Sequence, residues 1–287
     1  MSADSLLKGS VAWSFPENNN RLIGFQTKGG DPKVSGNVTI EYFAHSAFRI
    51  TSPSGLSMLI DPWRNDPAGA WGLWFPEEFP EVYADIVLST HAHFDHDAVH
   101  RVHAPVTLER PVGAFLLGDV KIEGFGDKHM YKAKGSYLWT DAFADFGIPM
   151  QPDNPMHLDN SIIQISTGGL RIAHWGDNRP DATEFVLKAL EGVDVLFLPI
   201  DGSEHILTKD DITALLARIK PKVVVPMHYL TKGAVAVLST LQTPDYWLDA
   251  MPEPLRLKEA KWTVNPSLLE PLRQQAASFD HHYLKMG

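Results

Sequence analysis

Cysteine is missing from all 287 residues. Disulfides and thiolate metal ligands are therefore both excluded. Basic residues are also scarce: 25 Lys and Arg stand against 35 Asp and Glu, a formal charge of -10. A nucleic-acid footprint is normally basic and clustered, so no nucleic-acid partner is expected. The acidity does not exclude a small anionic substrate, because bound metal ions dominate the field at a local site. No uninterrupted apolar run reaches the ~20 residues that span a bilayer, so no membrane span is expected. The opening Met1-Ser2-Ala3-Asp4-Ser5-Leu6-Leu7-Lys8 lacks the basic start and long apolar run of a signal peptide. A cytoplasmic protein is the expectation. With 44% hydrophobic residues the chain is an ordinary globular one, long enough to bury a sizeable core.

What is present in abundance is imidazole beside carboxylate. The run Ser89-Thr90-His91-Ala92-His93-Phe94-Asp95-His96-Asp97 directly follows the apolar stretch Ile86-Val87-Leu88. Borderline divalent metals accept these ligand types, and a strand of this kind delivers them to a loop at the rim of a sheet. His91 and His93 point the same way on extended backbone, whereas Asp95 and His96 lie beyond a bend and can address a second ion. Four residues do not complete two sites. Further ligands are expected from His157, from Asp177 in His174-Trp175-Gly176-Asp177-Asn178, and from His228 in Pro226-Met227-His228-Tyr229, each beside a strand.

Around these motifs, residues 1–37 carry many Gly, Asn and Pro and read as an N-terminal extension. Strands are predicted at Val38–Phe43, Ala47–Thr51, Ser57–Ile60 and Tyr83–Ser89. Two more, Ser161–Ile165 and Leu170–His174, bracket Gly168-Gly169 as a hairpin. A helix is expected over Ala182–Leu190, closed by Gly192, then a strand over Val193–Pro199. Thr208 and Asp211 suit a capping box for a helix ending before Pro221, and Val223-Val224-Val225 reads as a buried strand. This order implies a layered α/β protein. Residues 236–287 read as an appendage packed on the domain before them or as an oligomer contact, Pro-rich from Thr243 to Gly287, with a short helix near Leu268–Ala277. Two aromatic stretches, Gly69–Tyr83 and Gly124–Pro152, fit either core packing or the wall of a substrate pocket.

The sequence resembles the metallo-β-lactamase-fold hydrolases. The resemblance rests on Asp61 in Leu59-Ile60-Asp61-Pro62, the HxHxDH run His91–His96, His157, the Gly-Asp at Asp177 and the Pro-Met-His-Tyr at His228. It covers roughly residues 38–235, and its nearest likeness is to ascorbate-6-phosphate lactonase-like and phospholipase D-like members. Tyr42-Phe43-Ala44-His45-Ser46-Ala47 looks like their Gly-His-Ser opening, with Ala44 in place of Gly. The resemblance implies a four-layer αββα sandwich with two divalent ions at one edge: zinc first, with manganese or iron as alternatives. It assigns His91, His93 and His157 to one ion and Asp95, His96 and His228 to the other, with Asp177 bridging. His129, His100 and His103 also lie between the second and fourth motifs; His157 is preferred because it precedes the strand pair leading to Asp177. Asp61 is expected to orient a ligand histidine.

The implied activity is hydrolysis of a small ester, lactone or related substrate by a metal-activated water. Asp95 and His205 are the expected catalytic residues, His205 as proton donor to the leaving group. Arg179 and Tyr229 are candidates for binding the substrate. A phosphodiesterase of phospholipid or nucleotide type is the alternative enzyme, and a non-catalytic binding module the alternative of another class. Retention of the whole ligand set weighs against the latter. A small molecule is the expected partner, and homo-oligomer formation is left open.

Overall fold

The structure, a computed structural model, describes residues 30–69, 72–130, 158–204, 206–231, 233–234 and 241–280. Two sheets face one another. The first is ordered β15-β1-β2-β3-β5-β7, from β1 (Val38–Tyr42), β2 (Phe48–Thr51), β3 (Ser57–Ile60), β5 (Ile86–Ser89), β7 (Val106–Glu109) and β15 (Lys261–Val264). The second, ordered β14-β16-β13-β12-β11-β10-β9-β8, contains β8 (Gly113–Leu117), β9 (Val120–Asp127), β10 (Asn160–Thr167), β11 (Leu170–His174) and β12 (Val195–Pro199). It is completed by β13 (Val223–Met227), β14 (Leu255–Leu257) and β16 (Gln275–Phe279). A small parallel pair, β4 (Val82–Tyr83) with β6 (Val102–His103), stands beside them.

Period-two alternation explains how the first sheet is buried on both faces. Met58, Ile60, Ile86 and Leu88 point into the core between the sheets, where Phe48 of β2 stacks on Phe197 of β12 at 4.1 Å. Their neighbours Leu59 and Val87 point the other way, into a second cluster with Phe43, Trp63, Phe75 and Phe79. That second cluster absorbs part of the first aromatic stretch as core. Trp63 stacks on Phe75 at 4.0 Å and donates its Nε1–H to Phe43 O. Asn65 pins the loop by accepting from Trp74 N and Phe75 N while donating to Phe75 O.

Helices α1 (Glu184–Leu190) and α2 (Lys209–Ile219) connect the parallel strands β11, β12 and β13. In α2 the buried residues Ile212, Leu215, Leu216 and Ile219 repeat at helical spacing, and both halves of the Thr208–Asp211 capping box form. Lys220 ends the helix in a left-handed conformation (φ 54°), immediately before Pro221. At the hairpin, Thr167 pairs with Leu170 across Gly168 (φ 61°) and Gly169 (φ 77°), as a two-residue loop with two positive φ angles requires. The last described residues of the N-terminal extension lean on it, with Gly169 N donating to Pro32 O and Gly36 N to Gly168 O.

Two expectations are corrected. The helix expected near Leu268–Ala277 is a short α4 (Pro266–Leu269), following α3 (Asp245–Leu248), and then strand β16. Pro271 interrupts the helix, Gln274 turns the chain at φ 51°, and Val223 and Val224 pair with Gln275 and Ala276. The Pro-rich C-terminal stretch thus gives strands to both sheets: β15 pairs with β1, and β16 with β13. The second correction is an addition, since β7, β8 and β9 occupy residues 106–127, where no strand was expected.

The aromatic layer yields a stability prediction. Phe75→Ala should lower unfolding stability by about 3–5 kcal/mol, the usual cost of emptying a buried aromatic site. A urea unfolding midpoint equal to that of the unsubstituted protein would show that this layer does not hold the first sheet.

Candidate metal centre

Strand direction gathers the polar residues at one edge of each sheet. In the first, β3 and β5 are parallel and β1 runs with them, since β1 and β3 are both antiparallel to β2. In the second, β11 and β13 run together through β12, and β9 joins them because both β9 and β11 oppose β10. The carboxyl ends of these strands lead to His45, Asp61, His91, His129, Asp177 and His228. Open sheets with parallel strands place ligand sites at such ends. Hydrogen bonds join the two edges here, among them His228 N to His45 O, Ser161 N to Thr90 O, and His174 Nε2–H to Ser46 O.

Two sets of donors result. His45, Asp95, His96 and His228 bring their donor atoms within 4.8 Å of one another, and so do His91, His93 and His129. Asp177 stands between them. Its Oδ2 lies 3.8 Å from His91 Nε2, 3.6 Å from His129 Nε2 and 3.1 Å from His228 Nε2, while Oδ1 is 3.5 Å from His96 Nε2. A carboxylate so placed can face both donor sets.

Buried second partners fix the imidazole tautomers. His96 Nδ1–H donates to Asp61 Oδ2 at 2.7 Å. His91 Nδ1–H donates to Thr90 Oγ1, which in turn donates to the same Asp61 oxygen. His129 Nδ1–H donates to Met130 O at 2.7 Å. Each Nε2 is therefore the nitrogen turned toward the centre, and in the neutral imidazole it carries the lone pair. Those of His91 and His96 are buried without a geometric hydrogen bond, as is Asp177 Oδ1. Buried polar atoms normally have partners, and lone pairs converging without donors are what a cation satisfies. The donor set, nitrogen and oxygen without sulfur, fits zinc, manganese or iron.

Electrostatics point the same way. Burial pushes the Asp95 carboxyl up, but His96 and the bonds from His228 and His45 outweigh it and hold Asp95 well below the usual carboxylate range. Asp177 is held low against the same burial by His228 and His96. Burial opposes charge on His228 and His96 as well, yet Asp177 chiefly raises His228 to about 10, and Asp177, Asp95 and Asp61 raise His96. The carboxylates thus demand positive charge at the centre. His91 and His93 are driven down mainly by burial, His93 to about 3, which keeps them neutral and able to coordinate.

Two glycine and loop features set the position of Asp177. Gly176 has φ 60°, and a Cβ there would come within 2.7 Å of Asn160 Oδ1 and 2.9 Å of Thr90. Asp127 clamps the segment: it accepts from Asn178 Nδ2 and forms a two-point ion pair with Arg179 at 3.0 and 2.8 Å. Met130 N donates to Asp177 O and Arg179 N to Lys128 O, tying the His129 segment to the Asp177 segment.

Of the residues expected from the sequence, His91, His93, Asp95, His96, Asp177 and His228 come together here, with Asp61 behind them. His157 and His205 lie outside the described residues. Where His157 was expected beside His91 and His93, the described structure has His129, with ring centroids 4.8 and 4.5 Å from theirs. Arg179 is engaged by Asp127, and Tyr229 is buried in the core beside Tyr42, its hydroxyl pushed up to about 12 by burial. His45 was visible in the sequence but carried no assigned role; its nearness to Asp95, 50 residues on, has no local signal. His129 does have one, since it follows β9 as His91 follows β5.

Comparison with known proteins agrees with this architecture. Residues 39–228 match the family described as the beta-lactamase superfamily domain. A UPF0173 metal-dependent hydrolase of Anaeromyxobacter sp. is 31% identical over 234 residues, covering 71% of this chain and 80% of that protein. One from Thermodesulfovibrio yellowstonii is 28% identical over 218 residues, covering 68% and 80%. Among solved structures, a putative zinc-dependent hydrolase of the metallo-β-lactamase superfamily from Thermotoga maritima shares the fold with a TM-score of 0.58 at 22% identity. That match covers 84% of this chain and 98% of the other. With its family match spanning most of the sandwich and the ligand-bearing loops, the chain belongs to the metallo-β-lactamase superfamily, among the UPF0173 metal-dependent hydrolases.

Proposed function

We propose that the protein hydrolyses a small ester, lactone or related carbonyl substrate at a centre of two divalent ions. The observation that carries this reading is the meeting of two donor sets at one buried carboxylate, Asp177. His91, His93 and His129 would hold one ion, and Asp95, His96 and His228 the other. Bound there, such a pair polarises a substrate oxygen and acidifies a water near neutral pH. The chain's own part is to hold the donors rigid. Asp61 and Thr90 keep the Nε2 lone pairs of His96 and His91 inward, and Asp127 keeps Asp177 between the two sets.

The flank of the centre favours a carbonyl substrate over a phosphodiester. Trp74 and Phe94 are partly exposed and meet edge-on at 5.1 Å, and Trp74 adjoins His45, giving an apolar wall on that side. Arg179, the cation two residues after Asp177, is already paired with Asp127 and so is committed to positioning rather than to a phosphate. His205 is proposed as the leaving-group proton donor. Among the described residues, its chain neighbours Glu204 and Ile206 donate their N–H groups to Asp201, which follows β12.

Elemental analysis of the purified protein should find two transition-metal ions per chain; fewer than one, with no gain in activity on adding zinc or manganese, would defeat the reading. On a panel of lactones, esters and phosphodiesters, turnover should be greatest on the first two. His91→Ala should reduce it by about a hundredfold or more, and unchanged turnover would count against hydrolysis of those substrates at this centre. Asp61→Asn should weaken metal binding by about 10–100-fold in competition with a chelator while far-ultraviolet circular dichroism stays the same. Undiminished affinity would remove Asp61 from the positioning scheme.

A further inference from the structure

We propose that His45 is a fourth protein ligand of the ion held by Asp95, His96 and His228. That pocket is thereby closed, while the pocket of His91, His93 and His129 keeps a position open for substrate or water. The inference rests on the metal-dependent reading above and adds to it an inequality between the two ions.

The distances support a four-ligand shell. From Asp95 Oδ2 the Nε2 atoms of His45, His96 and His228 stand at 3.0, 3.6 and 3.6 Å. The edge of a tetrahedron with metal–ligand bonds of ~2.05 Å is about 3.4 Å, so the three separations are those of donors that share one ion. In the metal-free arrangement His45 Nε2–H donates to Asp95, and a cation takes the place of that proton.

Exposure separates the two pockets. His45, Asp95, His96 and His228 are all buried, whereas in the other set His93 is partly exposed and its neighbour Ala92 is exposed. Four protein ligands in a sealed site are the signature of a tightly held ion. With Asp177 shared between the sets, the other ion has three ligands of its own and a solvent-facing side where water or substrate can complete its shell.

The backbone gives independent support. Ala44 and His45 both adopt left-handed conformations, with φ 79° and 55°. Non-glycine residues in this region cost of order 1–3 kcal/mol each and persist where the surroundings enforce them, commonly at functional sites. The enforcement is on display: Ala47 N donates to Ala44 O, Phe43 N to Ala47 O, His45 N to Thr231 Oγ1 and His228 N to His45 O. Phe75 and Trp74 close behind the ring edge-on at 5.7 and 6.2 Å. The turn thus aims the imidazole at Asp95.

A hydrogen bond that merely orients Asp95 is the competing role, and the choice of variant separates the two. His45→Gln retains an N–H donor of similar reach but not the imidazole; His45→Ala retains neither. Chelator-stripped full-length protein is titrated with Co²⁺, followed by visible absorption and by counting bound metal. The unsubstituted protein should take up two ions in separable steps. The tighter step should weaken about tenfold or more in both His45 variants, with the weaker step kept, while His93→Ala should lose the weaker step instead. The proposal is overturned if both His45 variants keep the tight step, if His45→Gln alone keeps it, or if two ions bind to the unsubstituted protein with one affinity. Binding of no Co²⁺ by the unsubstituted protein would instead defeat the metal-dependent reading as a whole.

Discussion

A carboxylate sealed from water costs several kcal/mol unless hydrogen bonds replace its hydration, and Asp61 is wholly buried. Its oxygens accept from Thr90 N, Thr90 Oγ1 and His96 Nδ1, each at 2.7 Å. Those bonds are what make its burial tolerable, and the same bonds set the donor geometry of His96 directly and of His91 through the threonine. Asp61 also sits at the end of β3 with φ 51° and donates its N–H to Leu88 O, so it ties β3 to β5 just where the ligand loop begins. One buried charge therefore couples the order of the first sheet's edge to the tautomers of two imidazoles. Replacing it would disturb both at once.

Topology explains how residues as distant as His45 and His228 reach that point. Within each sheet, the strands that deliver ligands run the same way, whether adjacent and parallel or separated by one antiparallel neighbour. Their carboxyl ends must then share an edge. The two edges are joined by backbone bonds from His228 to His45 and from Ser161 to Thr90. The centre consequently lies where the sheets meet, and its donors come from loops on rigid strands rather than from one flexible segment.

Much of this was legible in the sequence because it is local. The alternation in β1, β2 and β3, the Gly168-Gly169 loop and the Thr208–Asp211 box each carry their own physical signal. Strands β7 and β8 carry less: β7 alternates over only four residues, with Val106 and Leu108 turned to the core, and the Gly113–Leu117 run of β8 has no strict apolar–polar alternation. The missing β9 had a consequence at the site. Without it, His129 stands only as one of several histidines between the second and fourth motifs, and the preference falls on His157 before the Ser161–Ile165 strand, a residue outside the described ones. At the C-terminus, Ala276 and Ala277 have no strand preference of their own; pairing with β13 and β14 decides their state. Ion pairs such as Arg179 with Asp127, 52 residues apart, are invisible to any local reading.

Backbone strain adds the final step. Ala44, His45, Asp61 and His228 are four non-glycine residues with positive φ, and all four stand at the centre. A free loop would relax out of such conformations, since L-residues lose roughly 1–2 kcal/mol there. They are retained because each is locked on several sides: His45 between Thr231 and His228, Asp61 between Leu88 and Thr90, and Ala44 inside a tight turn closed by Ala47. The donor atoms are therefore ordered by protein contacts alone. A cation arriving there meets a preformed shell, so little ordering entropy opposes binding. The alanine at position 44 fits this view. It occupies a left-handed position that glycine would fill without steric cost, and its Cβ is buried against the aromatic cluster of Phe43, Trp63 and Phe75 that backs His45. Packing gained by that methyl offsets backbone strain, and it removes the freedom that glycine would give the turn just where the imidazole must hold its aim.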